Sequence, residues 1–299
     1  MTVVMTSSPL HAPVLDWYAG HARDLPWRRP GTPPWGVLVS EIMLQQTPVA
    51  RVLPAYLDWL QCWPTPGALA ADPPGEAVRA WGRLGYPRRA LRLHEAARAI
   101  VDVHAGEVPS SYDDLLALPG VGSYTAAAVA SFAFGGRHAV LDTNVRRVLG
   151  RAVSGRALPA TTVTAGERRL AEDLLPERPE VAAVWGVAVM ELGALVCTAR
   201  APRCADCPVA TTCAWRLAGK PEPDTRRPGQ RYAGTDRQVR GRLLAVLREA
   251  EGGVPSAALD AVWDDDVQRN RALAGLVEDG LVEPVGRETF GLPGGPARS

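Results

Sequence analysis

Apolar residues recur at three- and four-residue spacing along nearly the whole chain, and proline and glycine cut that rhythm into short pieces. The stretch Trp35-Gly36-Val37-Leu38-Val39-Ser40-Glu41-Ile42-Met43-Leu44 carries an apolar stripe and stops before Pro48. The same spacing predicts helices over 49–60, 76–84, 89–103, 125–134, 143–152, 165–175 and 181–196. Clusters such as Pro64-Thr65-Pro66-Gly67 and Asp72-Pro73-Pro74-Gly75 read as the breaks between them. No stretch alternates as a half-buried strand does, so the expected fold class is all-α. Residues 221–236 are polar, with Pro221, Pro223, Pro228 and Gly229, and read as a linker. Beyond them, residues 237–299 offer a basic amphipathic helix over 237–250, a turn at Gly252-Gly253, a short helix near 256–262, another across 266–279, and a hairpin over 281–292. Three helices and a hairpin suit a winged-helix-like unit or a small helical cap.

Composition narrows the classes. With 299 residues, 46% hydrophobic and 22% charged, the chain can bury two compact cores and is not disordered by composition. No apolar run approaches the roughly 20 residues of a membrane span. The start, Met1-Thr2-Val3-Val4-Met5-Thr6, lacks the basic flank of a secretory signal, so a cytoplasmic protein without membrane contact is expected. Of the 33 basic residues only Lys220 is a lysine, so chemistry resting on an amine must use it or the chain terminus. Net charge is +1, yet six arginines stand against Glu95 between Arg79 and Arg98, and seven against Asp236 between Arg226 and Arg248. Such runs neutralise phosphates, or simply make a solvated face.

Four of the five cysteines, Cys197, Cys204, Cys207 and Cys213, fall within 17 residues as Cys-x6-Cys-x2-Cys-x5-Cys. Four thiolates from so short a segment suit one compact [4Fe–4S] cluster better than a zinc site, which more often pairs two Cys-x2-Cys halves across a longer loop. Cys62, between Gln61 and Trp63, reads as a packed core thiol. The second signal is Leu118-Pro119-Gly120-Val121-Gly122 ahead of an alanine-rich helix. Glycines let a turn approach another molecule closely, and the amides of the following helix start suit a phosphate.

Six motifs occurring in order carry a resemblance: Leu25-Pro26-Trp27-Arg28, Ser40-Glu41-Ile42-Met43-Leu44-Gln45-Gln46-Thr47, Leu84-Gly85-Tyr86, Leu118-Pro119-Gly120-Val121-Gly122, Leu141-Asp142-Thr143-Asn144-Val145-Arg146-Arg147-Val148, and the four cysteines. Over about residues 10–220 the chain resembles the endonuclease III-like base-excision DNA glycosylases, and among them the MutY-type adenine DNA glycosylases. The resemblance implies two helical lobes with DNA in the cleft between them. Residues 28–136 would be a six-helix lobe ending in the helix-hairpin-helix, and 1–27 with 137–220 a lobe holding the [4Fe–4S] cluster. It implies a monomer that acts on double-stranded DNA with mispaired adenine and flips the base out, since the glycosidic bond is inaccessible inside the stack.

By motif position Glu41 and Asp142 are the family's two carboxylates. Adenine leaves poorly as an anion, so an acid must protonate it, and the sugar becomes cationic, so a fixed anion should face it. Glu41 sits among Val39, Ile42, Met43 and Leu44, where burial favours a retained proton, and is the expected acid. Asp142 precedes the helix at Thr143, whose amides and dipole should keep it ionised as the stabiliser of the cation. At Tyr124 strand-cleaving relatives carry a lysine that forms a Schiff base, so the tyrosine implies a monofunctional enzyme. Gln46 and Tyr86 match positions that wedge into the duplex, with Thr47 beside them. Trp27 and Arg28 match the adenine pocket, Gly120, Val121 and Gly122 the phosphate clamp, and Asn144 a further DNA-binding position. Two departures stand out. Pro87 replaces a second tyrosine, and residues 237–299 are too short and too helical for the Nudix-like domain that recognises 8-oxoguanine opposite the adenine in many MutY-type enzymes. Expected, then, is a glycosylase for adenine mispaired with 8-oxoguanine or guanine. A thymine glycosylase for T:G mispairs and a non-catalytic iron-sulfur DNA-binding regulator are the alternatives.

Overall fold

The computed structural model describes residues 8–223 and 232–295; half of the expected linker, including Arg226, Arg227 and Arg231, lies outside the described residues, as does the start at 1–7. The chain is helical throughout its first part. It runs through α1 (His11–His21), α2 (Pro34–Leu44), α3 (Val49–Cys62), α4 (Pro66–Ala71), α5 (Pro74–Trp81), α6 (Arg88–His104), α7 (Tyr112–Ala117) and α8 (Ser123–Phe132). It continues through α9 (Thr143–Ala152), α10 (Ala165–Asp173), α11 (Pro179–Leu195) and α12 (Ala214–Leu217). The C-terminal part holds α13 (Asp236–Glu249), β1 (Val254–Pro255), α14 (Ser256–Asp260), α15 (Asp266–Glu278), β2 (Glu283–Gly286) and β3 (Thr289–Gly291). The fold is thus all-α apart from one small antiparallel sheet of order β1-β3-β2. Among the described residues no helix is long and apolar enough to cross a membrane.

Three sequence expectations need correction. The Pro64–Gly67 cluster is not only a break: Thr65 caps a new helix, its hydroxyl accepting from the Ala68 amide at 3.2 Å, and Pro66 occupies the first turn where no amide is needed. The helix expected over 76–84 stops at Trp81, because Gly82 takes φ +52°. Cys62 is exposed at the end of α3 rather than packed, while its neighbour Trp63 is buried.

The chain divides into two compact units. The first comprises Met1–Val37, Ser110–Leu116 and Gly122–Arg227. Its core joins α1, α9 and α11 through Val14, Val145, Leu149, Trp185, Val189 and Leu192. The second comprises Leu38–Pro109, Ala117–Val121 and Pro228–Ser299. Here Trp59 meets Trp63 and Trp81 edge-on, with ring centroids 4.6 and 5.6 Å away. The C-terminal part is built onto α5 of this unit. Arg248 donates to the carbonyls of Val78 and Gly82 at 2.8 and 2.5 Å, while Arg79 donates to those of Arg248 and, at 2.9 Å, Ala250.

Gly193 lets α11 approach α9 more closely than a side chain allows: a Cβ there would lie 2.7 Å from Asn144 Cβ and 3.0 Å from its carbonyl oxygen. Alanine favours a helix over glycine by about 1 kcal/mol, but forcing two backbones apart costs about 1–3 kcal/mol. Gly193→Ala should therefore lower stability in chemical denaturation. A parent-like midpoint would mean that the two helices can part freely.

Candidate functional site

In the first unit, Asp142 stands where α9 begins. Its Oδ1 accepts from the Val145 amide at 2.6 Å, and its Oδ2 accepts from the Asn144 side-chain amide at 2.7 Å. Asn144 Oδ1 in turn accepts from Arg147 Nη2 at 2.8 Å, and Arg147 Nε donates to the Cys197 carbonyl at 2.7 Å. Asp142 caps the helix as its sequence position predicts. Its carboxyl is nevertheless pushed up from the ordinary aspartate value, because burial outweighs the Val145 amide, Asn144 and the Arg147 charge. Burial thus opposes the amides and dipole of the helix start that favour the ionised form. The cap is readable from the order of residues, whereas the close approach of α11 to Asn144 at Gly193 is not.

The same helix reaches the cysteines. Arg151 Nη1 donates to Cys197 Sγ at 3.3 Å and to the Thr198 carbonyl at 2.8 Å, with its guanidinium 4.4 Å over the Trp215 ring. Cys197, Cys204, Cys207 and Cys213 all line one half-open pocket, together with Arg151 and Trp215. Burial raises the Cys197 thiol and pushes the Cys207 thiol up to about 11. Among the described residues no three histidine, cysteine or acidic side chains gather tightly enough to hold a single ion. A zinc ion would draw its sulfurs to about 2.3 Å. Four sulfurs spaced around a cavity suit a larger thiolate-ligated group.

Trp27 is buried on a 3-10 turn, Pro26–Arg28. Arg28 Nη1 donates to Glu191 Oε2 at 2.8 Å, and Arg23 grips both Glu191 oxygens at 2.7 Å from Nε and Nη2. Glu191 is fully buried, and despite that burial the two guanidiniums hold its carboxyl down at about 2. Sequence reasoning missed this residue, although one acid in the otherwise apolar run Val187-Ala188-Val189-Met190-Glu191-Leu192 was a visible signal. It missed Arg147 as well, whose role shows only in three dimensions. Tyr124, one residue into α8, is half-buried against the Ala127, Ala128 and Val140 cluster.

In the second unit Glu41 lies on α2 and is buried, 4% exposed, on the same helix as the buried Leu38 and Ile42. Gln46 and Tyr86 are both exposed and both left-handed, with φ +55° and +48°. Thr47 is buried, its hydroxyl donating to the Leu84 carbonyl at 3.3 Å. In the turn after α7 the Val121 amide donates to the Leu118 carbonyl at 3.1 Å. Gly120 takes φ +76°, and a Cβ there would lie 2.6 Å from Arg92 Cβ, so only glycine fits. Gly122 precedes α8 and brings no capping side chain.

The profile of the HhH-GPD superfamily base excision DNA repair protein matches residues 39–171. The adenine DNA glycosylase of Mycobacterium tuberculosis is 55% identical over 283 residues, 94% of this chain and 92% of that one. That of Mycolicibacterium smegmatis is 53% identical over 97% of each, and that of Homo sapiens 43% identical over 67% of this chain and 38% of its own. Among solved structures, a thermostable thymine-DNA glycosylase superposes with TM-score 0.61 at 28% identity, covering 69% of this chain and 94% of that one. A trapped endonuclease III–DNA covalent intermediate superposes with TM-score 0.60 at 23% identity, over 70% and 94%, a likeness of fold.

The depressed Glu191 carboxyl fixes a sign. Its ionisation stabilises the fold at pH above the unfolded value near 4.5, and that contribution is lost as pH falls toward about 2. Glu191→Gln leaves two part-buried arginines short of their anion and should cost about 3 kcal/mol or less at neutral pH. The gap from the parent should close as melting is followed from pH 4.5 downward; a gap independent of pH would show that the charge is not the cause. The chain belongs to the HhH-GPD superfamily of base excision DNA repair proteins, and within it to the family of these adenine DNA glycosylases.

Proposed function

We propose that this family member hydrolyses the N-glycosidic bond of adenine mispaired with 8-oxoguanine or guanine in double-stranded DNA, acting as a cytoplasmic monomer and leaving an abasic site. The observation that carries the reading is the Asp142 carboxylate, fixed by the Val145 amide and Asn144 and made unstable as an anion by burial. An anion that the ground state holds poorly gains most when a cation forms beside it, and interactions that strengthen only in the transition state are those that accelerate a reaction.

The adenine is flipped from the stack. Glu41, buried, gives its proton to the base as the bond from C1′ to nitrogen breaks, so adenine departs neutral. Asp142 faces the positive charge left on the sugar, either as an ion partner or by forming a transient bond at C1′ as in retaining glycosidases. Water then adds to C1′, its hydroxyl joining the sugar and its proton passing to a carboxylate. Tyr124 occupies the place where an amine would be required for strand cleavage, and the only lysine, Lys220, follows the cysteine loop in sequence. Trp27 stacks on the base while Arg28, held by Glu191, orients it. Gln46, Thr47 and Tyr86 serve the distorted duplex, and Asn144 steadies Asp142 at the DNA. Gly120, Val121 and Gly122 receive a phosphate where α8 begins. Residues 237–299 form a winged-helix-like unit that adds a further grip.

Cys197, Cys204, Cys207 and Cys213 would hold a [4Fe–4S] cluster, whose iron–thiolate bonds would tie residues 197–213 to one another beside Arg151 at the end of α9. Their fit rests on the all-thiol donor set around one cavity and on Arg151 donating to Cys197 Sγ at 3.3 Å.

The test is purified enzyme in excess over labelled duplexes carrying A:8-oxoguanine, A:G, A:C, T:G and A:T, each divided between alkali and no alkali. Base loss confined to adenine opposite 8-oxoguanine or guanine, and seen only after alkali, is expected; excision from T:G, or breaks without alkali, would overturn the reading. Asp142→Asn should slow single-turnover adenine loss by about 1,000-fold or more. A carboxyl whose folded pKa is raised adds stability below its unfolded pKa and loses it as pH rises. Asparagine keeps the cap without the buried charge, so the variant should melt at or above the parent temperature at neutral pH. A clear fall in melting temperature would show that the carboxylate serves the fold.

A further inference from the structure

One half-buried guanidinium in the second unit gathers an unusual set of acceptors. Arg89 Nη1 donates to the carbonyls of Ile42, Met43 and Gln45 at 2.9, 3.0 and 2.6 Å. Its Nη2 donates to Thr47 Oγ1 and to the Gly85 carbonyl, both at 3.0 Å. The guanidinium carbon lies 5.2 Å from the Trp81 ring centroid and 5.5 Å from that of Tyr86. Two of these acceptors stand directly before left-handed residues: Gln45 before Gln46 at φ +55°, and Gly85 before Tyr86 at φ +48°. The carbonyl of one residue lies in the same rigid peptide plane as the amide of the next. Holding that oxygen therefore fixes the plane from which the next φ is measured. A left-handed φ is unfavourable for glutamine or tyrosine and persists only where the surroundings impose it.

We propose that Arg89 is a positioning residue that holds Gln46 and Tyr86 together in their left-handed conformations, so that one side chain sets the geometry of both residues serving the duplex. The proposal rests on the assignment of Gln46 and Tyr86 to the distorted duplex made above. A single planar fork reaching two chain segments is something an ammonium cannot copy, because lysine offers a point charge on a flexible stem. Burial pushes the Arg89 guanidinium down to about 10, so it remains charged at neutral pH.

The test compares Arg89→Lys, Gln46→Ala and Tyr86→Ala, alone and combined, in the full-length protein. The reading is the ratio of Kd for an A:T duplex to Kd for an A:8-oxoguanine duplex, with hydrogen exchange over residues 42–47 and 82–87 and thermal melting as companions. Arg89→Lys should lose about tenfold or more of that ratio and raise exchange in those two segments while melting near the parent temperature. Combined with Gln46→Ala and Tyr86→Ala it should lose nothing further, since groups acting through one another are not additive. Thr47→Val removes one acceptor and leaves the guanidinium, and should reproduce the loss in part if Arg89→Lys does not fold. If the alanine variants lose the ratio while Arg89→Lys keeps it, or if the losses add, Arg89 is a structural residue and the proposal fails alone. If neither alanine variant changes the ratio, the assignment of Gln46 and Tyr86 falls and the proposal falls with it.

Discussion

A helix leaves its last four carbonyls without a donor of its own, and a fold assembled from short helices multiplies those orphans. In this protein arginine answers them. Arg89 collects carbonyls at the end of α2, Arg147 and Arg151 those of the segment after α11, and Arg248 those at the end of α5. Arg137 does the same for Leu175 and Pro176. Guanidinium is suited to the task because its donors lie in one plane, it holds its charge when buried, and it stacks on rings such as Trp215 and Trp81. The near absence of lysine is thus a statement about architecture before it is one about charge.

Helix α9 shows how that architecture serves chemistry. Asp142 starts it, Arg147 follows near its middle and Arg151 near its end, so one rigid element fixes the carboxylate and the cysteine segment together. The close approach of α11 to Asn144 at Gly193 keeps the assembly tight.

Much of this was legible in the sequence, and for physical reasons. The bounds of α9 follow from its apolar spacing and an aspartate cap, and the cysteine spacing pointed to one compact site. What escaped was long-range. Thr65 and Pro66 begin a helix inside an apparent break because a cap and a proline suit a first turn as well as a loop. Cys62 is exposed because α3 turns that side chain outward while Trp63 takes the interior. The approach of Gly193 to Asn144 and the pairing of Glu191 with Arg23 and Arg28 join segments more than 40 residues apart, which local pattern does not encode. The left-handed turn at Gln46 carries no glycine to announce it, and at Tyr86 the left-handed path runs on past Gly85 into a residue with a side chain.

The exchange of hydrogen bonds between Arg79 and Arg248 also orders events during synthesis. These contacts join residues 166–171 positions apart in the chain. A ribosome delivers α5 and the turn bearing Tyr86 early, but the arginine that closes off the Val78 and Gly82 carbonyls emerges only with α13. Long-range closure is slow and leaves partly built surfaces waiting. The second unit is therefore finished last, by its own C-terminal segment, and a nascent chain released before α13 would carry the end of α5 without that brace.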